Sequence, residues 1–181
     1  VFDSADVEEL DGTPRALVVV PTRELAQQVG DDLVRAAKLT PVRVTTIYGG
    51  HPFEDQVQAL ARGVDVVVGT PGRLLDLFKR GNLALDRVAI LVLDEADEML
   101  DLGFFPDIEK ILQALTHEHQ TMLFSATMPG PVLTLARTFM TQPVHIRAED
   151  VGASQTHAST KQVIFQAHRM DKPAVTARIL Q

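Results

Sequence analysis

Six consecutive apolar residues, Val88-Ala89-Ile90-Leu91-Val92-Leu93, come directly before the acidic tetrapeptide Asp94-Glu95-Ala96-Asp97. Such a run predicts a strand that is buried on both faces, as in a parallel sheet covered by helices. Open α/β sheets bind ligands at the carboxyl ends of their strands, where these three carboxylates are expected. A strand can also end in polar residues simply because it reaches solvent. Mg²⁺, however, is typically held by one or two carboxylates together with substrate phosphates, and this pattern suits it.

The rest of the chain alternates short β-type runs with segments of helical period. Strands are predicted at residues 16–20, 42–48, 65–68, 88–93, 121–124 and 144–146. Helices are predicted at residues 23–39, 52–62, 73–80, 105–115 and 132–139. This βαβα order predicts an α/β fold with a parallel sheet and helices on both faces, in three layers.

Composition limits the possible functions. The chain has 181 residues, of which 45% are hydrophobic, enough for one domain with a sizeable core. No apolar run is long enough to span a membrane, and the first residues lack a secretory signal pattern. The absence of cysteine excludes disulfides and favours a reducing cytoplasm. The net charge of -7 argues against a broadly basic surface, so any contact with nucleic acid must be local.

The carboxyl-terminal part has a different composition. Residues 148–160 (AEDVGASQTHAST) are small, polar and without periodicity, which predicts a linker. A strand at 162–167 and a helix at 172–181 would be the first elements of another domain. We therefore expect a partial domain at 1–147, a linker at 148–160 and the beginning of a second domain at 161–181. Because the first residue is Val1 and not Met, we also expect the chain to be part of a longer polypeptide.

Three other strand ends carry residues that suit phosphate. The successive strands are followed by Pro21-Thr22-Arg23, by Gly49-Gly50 and by Thr70-Pro71-Gly72-Arg73. Helix starts with free N–H groups, glycines that admit close approach and guanidinium groups all favour phosphate binding. Each segment alone is better explained as an ordinary turn or capped helix. Because the carboxyl ends of parallel strands share one edge, together they predict a track for a phosphodiester backbone.

Two polar segments are less specific. Ser125-Ala126-Thr127 follows the strand at 121–124, and its hydroxyls could either cap the next segment or bond the carboxylates of a neighbouring strand. His117-Glu118-His119 could bind a metal, but an exposed loop explains it better.

The motifs PTRELA (21–26), GG (49–50), TPGR (70–73), DEAD (94–97) and SAT (125–127) occur in this order. Together they resemble the DEAD-box family of ATP-dependent RNA helicases over about residues 16–147. The resemblance implies a RecA-like first domain, with a second RecA-like domain of the same protein as its partner. It also implies ATP and Mg²⁺ as cofactors and no membrane partner. The activity it implies is RNA-stimulated ATP hydrolysis, coupled to local RNA unwinding or remodelling of RNA–protein complexes.

The resemblance also implies roles for individual residues. Asp94 would hold Mg²⁺ against the ATP phosphates, usually through water, and Glu95 would position and deprotonate the attacking water. Asp97 would bond the hydroxyls of Ser125 and Thr127 and so couple nucleotide state to domain closure. Largely sequence-independent contacts with the RNA sugar-phosphate backbone would come from three motifs, with residues Pro21, Thr22, Arg23, Gly49, Gly50, Thr70, Pro71, Gly72 and Arg73.

The sequence lacks several of the family's segments that contact ATP. It has no G-x-x-x-x-G-K-[ST] loop or related Gly-Lys-Thr loop, and the second domain's arginines are also absent. We therefore expect this chain alone not to hydrolyse ATP. In the RecA-like fold that the resemblance implies, the strand before the phosphate loop lies inside the sheet. Its absence would leave unpaired backbone groups on the neighbouring strands, at about 1–3 kcal/mol for each group left buried. Two other functions stay open: a non-catalytic RNA-binding scaffold and a RecA-like helicase that acts on DNA.

Overall fold

The computed structural model describes residues 11–147, 167 and 170–179. The strands in these residues are β1 (Ala16–Val19), β2 (Val44–Ile47), β3 (Val66–Gly69), β4 (Ile90–Leu93) and β5 (Gln120–Leu123). The helices are α1 (Arg23–Ala36), α2 (Phe53–Ala61), α3 (Pro71–Lys79), α4 (Ala96–Asp101), α5 (Phe105–Ala114), α6 (Gly130–Phe139) and α7 (Lys172–Ile179). A 3₁₀ turn, Ala37–Leu39, follows α1. The chain divides into two compact units, Val1–Pro143 and Val144–Gln181, and all five strands lie in the first.

The five strands form one sheet in the order β2-β3-β1-β4-β5, and every neighbouring pair is parallel. The α/β prediction is therefore confirmed. The chain leaves β1 toward β2 and β3 on one side, and β4 and β5 lie on the other. The strand order thus reverses between β1 and β4. In open α/β sheets, ligands bind outside the carboxyl ends of the strands at such a switch point.

The two faces of the sheet are covered unequally. Leu17, Val19 and Leu91 face the larger core, which side chains of α2 to α6 complete. Val18 and Val20 face the opposite way and pack with Ala26 of α1. The alternation follows from the period of two in a strand, which sends successive side chains to opposite faces. Among the described residues, α1 is thus the main cover of the second face.

The strands near the β5 edge are less buried than the others. In β4, Leu91 and Leu93 are buried, whereas Ile90 and Val92 are only half-buried. No residue of β5 is fully buried, and β5 pairs with β4 alone among the described strands. The prediction that the run at 88–93 is buried on both faces is therefore wrong for one face in the described part of the chain.

The three predicted elements at the carboxyl-terminal end have different outcomes. The predicted strand at 144–146 is not formed, and Val144 and Ile146 are each 84% exposed. A strand needs a neighbour for its backbone hydrogen bonds, and none of the described strands pairs with this segment. The predicted helix at 172–181 is present as α7. The predicted strand at 162–167 lies outside the described residues except for Ala167, which is not in a strand.

Helix α1 begins as predicted and lies close to β2. The Thr22 side chain accepts a hydrogen bond from the N–H of Leu25 at 3.2 Å and caps the helix. Gly30 faces the strand, and a Cβ at this position would come within 2.2 Å of Thr46 Cγ2. The helix therefore depends on a residue without a side chain to pack at this distance.

Helix α3 begins at Pro71, two residues before the predicted start at residue 73. Proline suits this position because the first helical N–H has no partner within the helix. Gly72 and Arg73 therefore lie in the first turn of α3 and not in a loop. No helix in the described part of the chain has the length and apolar character needed to cross a bilayer.

Candidate functional site

The predicted site residues lie at the carboxyl ends of all five strands. Across the sheet from β2 to β5, these ends carry Gly49-Gly50, Thr70–Arg73, Pro21–Arg23, Asp94–Asp97 and Ser125–Thr127. We call the segments that follow β2, β3 and β1, together with the first helical turns that they reach, the glycine–arginine loops, and the corresponding segments after β4 and β5 the acid–hydroxyl loops. The two sets meet between β1 and β4, at the switch point of the sheet.

The first acid–hydroxyl loop is fixed by backbone bonds. The N–H of Asp94 donates to the carbonyl of Val19 in β1 at 3.0 Å, so the tetrapeptide is joined to the neighbouring strand. The N–H of Glu95 donates to the Asp94 carboxylate, also at 3.0 Å. Glu95 has φ 53° and ψ 53°, the left-handed region, which costs a non-glycine residue about 1–2 kcal/mol. Strained residues of this kind cluster at functional sites.

The donor set at this strand end fits Mg²⁺ held together with phosphates. Asp94 is half-buried, Glu95 is exposed, and the two carboxylates are adjacent in the chain. The described residues contain no group of three or more metal-ligating side chains, so they offer no cage made by protein alone. Mg²⁺ needs only one or two carboxylates when phosphates and waters supply the other ligands. His117-Glu118-His119 likewise belongs to no such group, and its His117 ring bonds the Glu118 carbonyl.

Asp97 joins the two acid–hydroxyl loops. Its carboxylate oxygen Oδ2 accepts hydrogen bonds from the Thr127 hydroxyl at 2.7 Å and from the Thr127 N–H at 2.8 Å. Ser125 Oγ accepts from the backbone N–H of Asp97 at 3.1 Å and donates to the Thr127 carbonyl at 2.7 Å. We expected the Asp97 carboxylate to bond both hydroxyls. In this geometry Thr127 bonds the carboxylate, while Ser125 bonds the Asp97 backbone.

These contacts set the charge of Asp97. Burial raises the pKa of its carboxyl group, but the hydroxyl and N–H of Thr127, which bond the carboxylate, and the nearby Ser125 hydroxyl and Asp97 N–H outweigh burial and lower the pKa from 3.8 to about 2. The carboxylate is therefore fully ionised at neutral pH. Because an ionised carboxylate is acceptor-only, Asp97 can hold Thr127 but cannot donate a proton there.

A cleft of about 490 Å³ lies beside this link. Its wall consists of Glu95, Asp97, Glu98, Leu100, Asp101, Ala126, Thr127 and Pro129. Four of these eight side chains are acidic, so the cleft favours a cationic group. The cleft includes Glu95, the carboxylate that the resemblance implies is catalytic.

Arg23 lies beside the glycine turn of β2. Its guanidinium nitrogen Nη1 would be 3.7 Å from a Cβ built on Gly50, which has φ +81°. The side chain is 63% exposed, and its Nε–H donates a hydrogen bond to the Glu24 carboxylate, which raises the pKa of Arg23. The ends of β1 and β2 thus place a guanidinium next to an open glycine turn, as a phosphate contact requires.

The TPGR segment contacts the same turn. Arg73 Nη1 donates to the His51 carbonyl at 3.2 Å, and its guanidinium lies 5.7 Å from the centre of the Phe53 ring. Thr70 precedes α3 without a side-chain cap bond. A Cβ on Gly72 would meet nothing nearer than 3.9 Å, so space around this residue is open.

Gln56 was not identified as a site residue from the sequence. Its side chain is only 3% exposed and bonds the backbone on both sides of Gly49-Gly50. A signal was present: Phe53, Val57 and Leu60 form the apolar stripe of α2, and a glutamine at position 56 falls on that face. A polar residue at a core-facing helical position predicts a buried hydrogen-bonding role.

The chain matches known proteins over most of its length. The family model "DEAD/DEAH box helicase" matches residues 2–135. The chain is 45% identical over 168 residues to the DEAD-box ATP-dependent RNA helicase CshA of Geobacillus kaustophilus, and 42% identical over 166 residues to CshA of Bacillus subtilis. These alignments cover 92% of this chain but 35% and 33% of the two relatives, so the chain spans about one third of their length.

Solved structures are similar to the same region. A DEAD box protein from the hyperthermophile Methanococcus jannaschii has a TM-score of 0.70 and 43% identity, over 75% of this chain and 38% of that chain. The yeast DEAD-box splicing factor Prp28 has a TM-score of 0.69 and 35% identity, over 73% of this chain and 32% of that one. The RecA-like form of the sheet is therefore supported by both sequence and fold.

Proposed function

This chain belongs to the DEAD/DEAH box helicase family, and on that premise we propose that the protein containing it is an ATP-dependent RNA helicase. RNA stimulates its ATP hydrolysis, and hydrolysis drives local strand separation or remodelling of RNA–protein complexes. The observation that carries the proposal is the division of the sheet edge. Glycine–arginine loops suited to a phosphodiester backbone lie directly beside acid–hydroxyl loops suited to Mg²⁺ and a triphosphate.

The acid–hydroxyl loops would carry the chemistry. Mg²⁺ supplies charge neutralisation of the ATP phosphates when bound, and Asp94 would hold it through water. Glu95 would orient the attacking water and accept its proton, a role that its exposed position and proximity to Asp94 support. Phosphoryl transfer is catalysed mostly by positioning and electrostatic stabilisation, so the fixed backbone at this loop matters as much as the carboxylates.

The Asp97–Thr127 bond would link the nucleotide to movement of the protein. Asp97 is two residues from Glu95, and Thr127 follows the end of β5. A shift at the tetrapeptide would therefore move the segment after β5 through hydrogen bonds of 2.7 and 2.8 Å. The second RecA-like domain would sense this shift.

The glycine–arginine loops would hold RNA by its backbone. Thr22, Arg23, Gly50, Thr70, Gly72 and Arg73 offer N–H, hydroxyl and guanidinium donors, together with Pro21, Gly49 and Pro71 of the same motifs. Contacts of this type carry little base information, so binding would be largely independent of sequence. The 2′-hydroxyl would favour RNA over DNA.

The domain organisation belongs to the same proposal. Residues 1–147 would be part of the first RecA-like domain, residues 148–160 a linker, and residues 161–181 the start of the second domain. The phosphate-binding loop would come from other residues of the full protein, and its strand would supply a partner for β5. The open β5 edge supports this, because unpaired edge groups favour addition of a strand. We place the protein in the cytoplasm, in keeping with its lack of cysteine.

ATP hydrolysis by the full-length protein tests the function. We expect RNA to stimulate turnover more than DNA of the same sequence. Glu95→Gln should lower kcat by on the order of 10²–10⁴-fold, since it removes a general base. Glu109→Gln, an exposed position on α5, is the matched control and should keep the wild-type rate. Absence of turnover with either nucleic acid would favour a scaffold, and stronger stimulation by DNA would favour a DNA helicase.

A further inference from the structure

Gln56 is one of two buried polar or charged side chains in the described part of the chain. The other is Asp65, whose burial is explained by its ion pair with Arg43 at 2.9 Å. Gln56 has no charged partner and belongs to no motif of the proposed function. Burial of a side-chain amide is costly unless both its donor and its acceptor are used.

The Gln56 amide uses both its hydrogen-bond donor and its acceptor. Its Oε1 accepts from the Tyr48 N–H at 3.2 Å, and its Nε2 donates to the Tyr48 carbonyl at 3.1 Å. The same Nε2 lies 3.4 Å from the carbonyls of His51 and Pro52. Gly49 and Gly50 stand between Tyr48 and His51, so one side chain holds the backbone before and after the glycine turn.

The turn itself is open. Gly49 and Gly50 are exposed, and their N–H groups donate no hydrogen bond to any described residue. Gly50 has φ +81°, so its conformation is one that most residues avoid. Two free N–H groups in such a turn form a small anion-binding surface, provided that the turn keeps its shape.

The contact extends to the neighbouring loop. The His51 carbonyl, which lies near Gln56 Nε2, also accepts from Arg73 Nη1 at 3.2 Å. One backbone carbonyl is therefore shared by the buried amide and by the arginine of the TPGR segment. Loss of the amide would free the backbone on both sides of the glycine turn, including the His51 carbonyl that Arg73 bonds.

We propose that Gln56 is a positioning residue for RNA binding, which holds the Gly49-Gly50 turn and Arg73 in the geometry that fits a phosphodiester backbone. It acts through those groups and does not touch RNA. The inference rests on the proposed function, since it assigns a role within the RNA-binding surface. Glutamine is required because leucine has neither donor nor acceptor, and ionised glutamate has no donor for the carbonyls.

The test measures RNA-stimulated ATP hydrolysis by the full-length protein, with single-stranded RNA as the titrant. Gln56→Leu should raise the RNA concentration at half-maximal rate about tenfold, as expected for one or two lost hydrogen bonds. The KM for ATP should stay within a factor of two or so of the wild-type value. Gln58→Leu is the matched control, because Gln58 is an exposed glutamine on the same helix.

A second variant covers the case in which Gln56→Leu does not fold. Gln56→Glu keeps the shape, and a buried carboxyl group takes up a proton more readily than an exposed one. The protonated side chain regains a donor, so its RNA half-saturation, relative to wild type at the same pH, should recover as the pH falls from 8 to about 6. A role in stability alone would lower the melting temperature without this recovery in RNA half-saturation.

The outcomes separate the inference from the function. Suppose that RNA stimulates the wild-type protein but that the RNA half-saturation is unchanged in folded Gln56→Leu, or in Gln56→Glu at pH 8. This result would overturn the role of Gln56 and leave the proposed function intact. An equal loss in Gln58→Leu would also overturn it. A wild-type protein without RNA stimulation would overturn both the function and the inference.

Discussion

At the scale of single residues, Asp97 has the most clearly defined chemistry. Its carboxylate bonds Thr127 twice, and its pKa is lowered to about 2. Because the folded value lies below the ordinary 3.8, the ionised form stabilises the fold at pH values above 3.8. That stability is lost as the pH falls toward 2.

We predict that protonation of Asp97 lowers the free energy of unfolding by about 1–2 kcal/mol between pH 5 and pH 2, after a discount for the partial exposure of this side chain. Urea denaturation of wild type and Asp97→Asn across this range measures the contribution. The stability difference between them should shrink as the pH falls. A difference that stays constant down to pH 2 would show that the Asp97 charge does not stabilise the fold.

The sequence predicts residue types at the site better than it predicts their contacts. The tetrapeptide and the SAT segment indicate that acids and hydroxyls meet, because parallel strands end at one edge. Which group of Asp97 each hydroxyl bonds depends on side-chain rotamers and on where α4 begins. The left-handed backbone at Glu95 has no sequence signal, since glycine or asparagine usually occupies that region.

At the scale of elements, helix packing depends on one glycine. Gly30 allows α1 to approach β2, and an added Cβ would lie 2.2 Å from Thr46 Cγ2. Alanine normally stabilises a helix relative to glycine by about 1 kcal/mol. At position 30, the overlap between the added Cβ and Thr46 should make alanine less stable than glycine.

We predict that Gly30→Ala lowers the free energy of unfolding by about 1–3 kcal/mol, the usual cost of overpacking. Chemical denaturation measures the change. The double variant Gly30→Ala with Thr46→Ser removes the overlapping methyl group and should restore most of the loss. Gly130→Ala, where a Cβ meets nothing within 4 Å, is the control and should be close to neutral.

Element boundaries were predictable where local chemistry sets them. The cap at Thr22 and the proline near the start of α2 are local signals, and both helices begin close to the predicted residue. The strand at 144–146 was not formed, because strand formation depends on a partner that local sequence does not reveal. Periodicity likewise does not report how far each face of β4 is covered.

At the scale of the molecule, the net negative charge of the chain opposes non-specific binding to RNA. The chain has a net charge of -7, so the proposed contact depends on a few guanidinium groups and backbone N–H groups. Such a surface should show a shallow dependence on salt, because few counterions are released. The contribution of each guanidinium–phosphate contact to this salt dependence should be measurable separately.

We predict that Arg23→Gln, in the full-length protein, makes the plot of log K against log salt less steep by about 0.7, the value for one contact with single-stranded nucleic acid. Fluorescence anisotropy with labelled RNA at several salt concentrations measures the slope. The loss of affinity should be similar for unrelated RNA sequences. Arg35→Gln at the other end of α1 is the control, and an equal effect there would exclude a local contact by Arg23.

The bond from the Asp94 N–H to the Val19 carbonyl has an evolutionary consequence. The offset between the segments proposed to bind magnesium and RNA is fixed by main-chain register, which amino-acid exchange does not alter. An insertion or deletion within β1 or β4 would displace one segment by about 3.3 Å per residue. Homologous sequences should therefore exchange one apolar residue for another along these two strands while keeping the strand lengths constant.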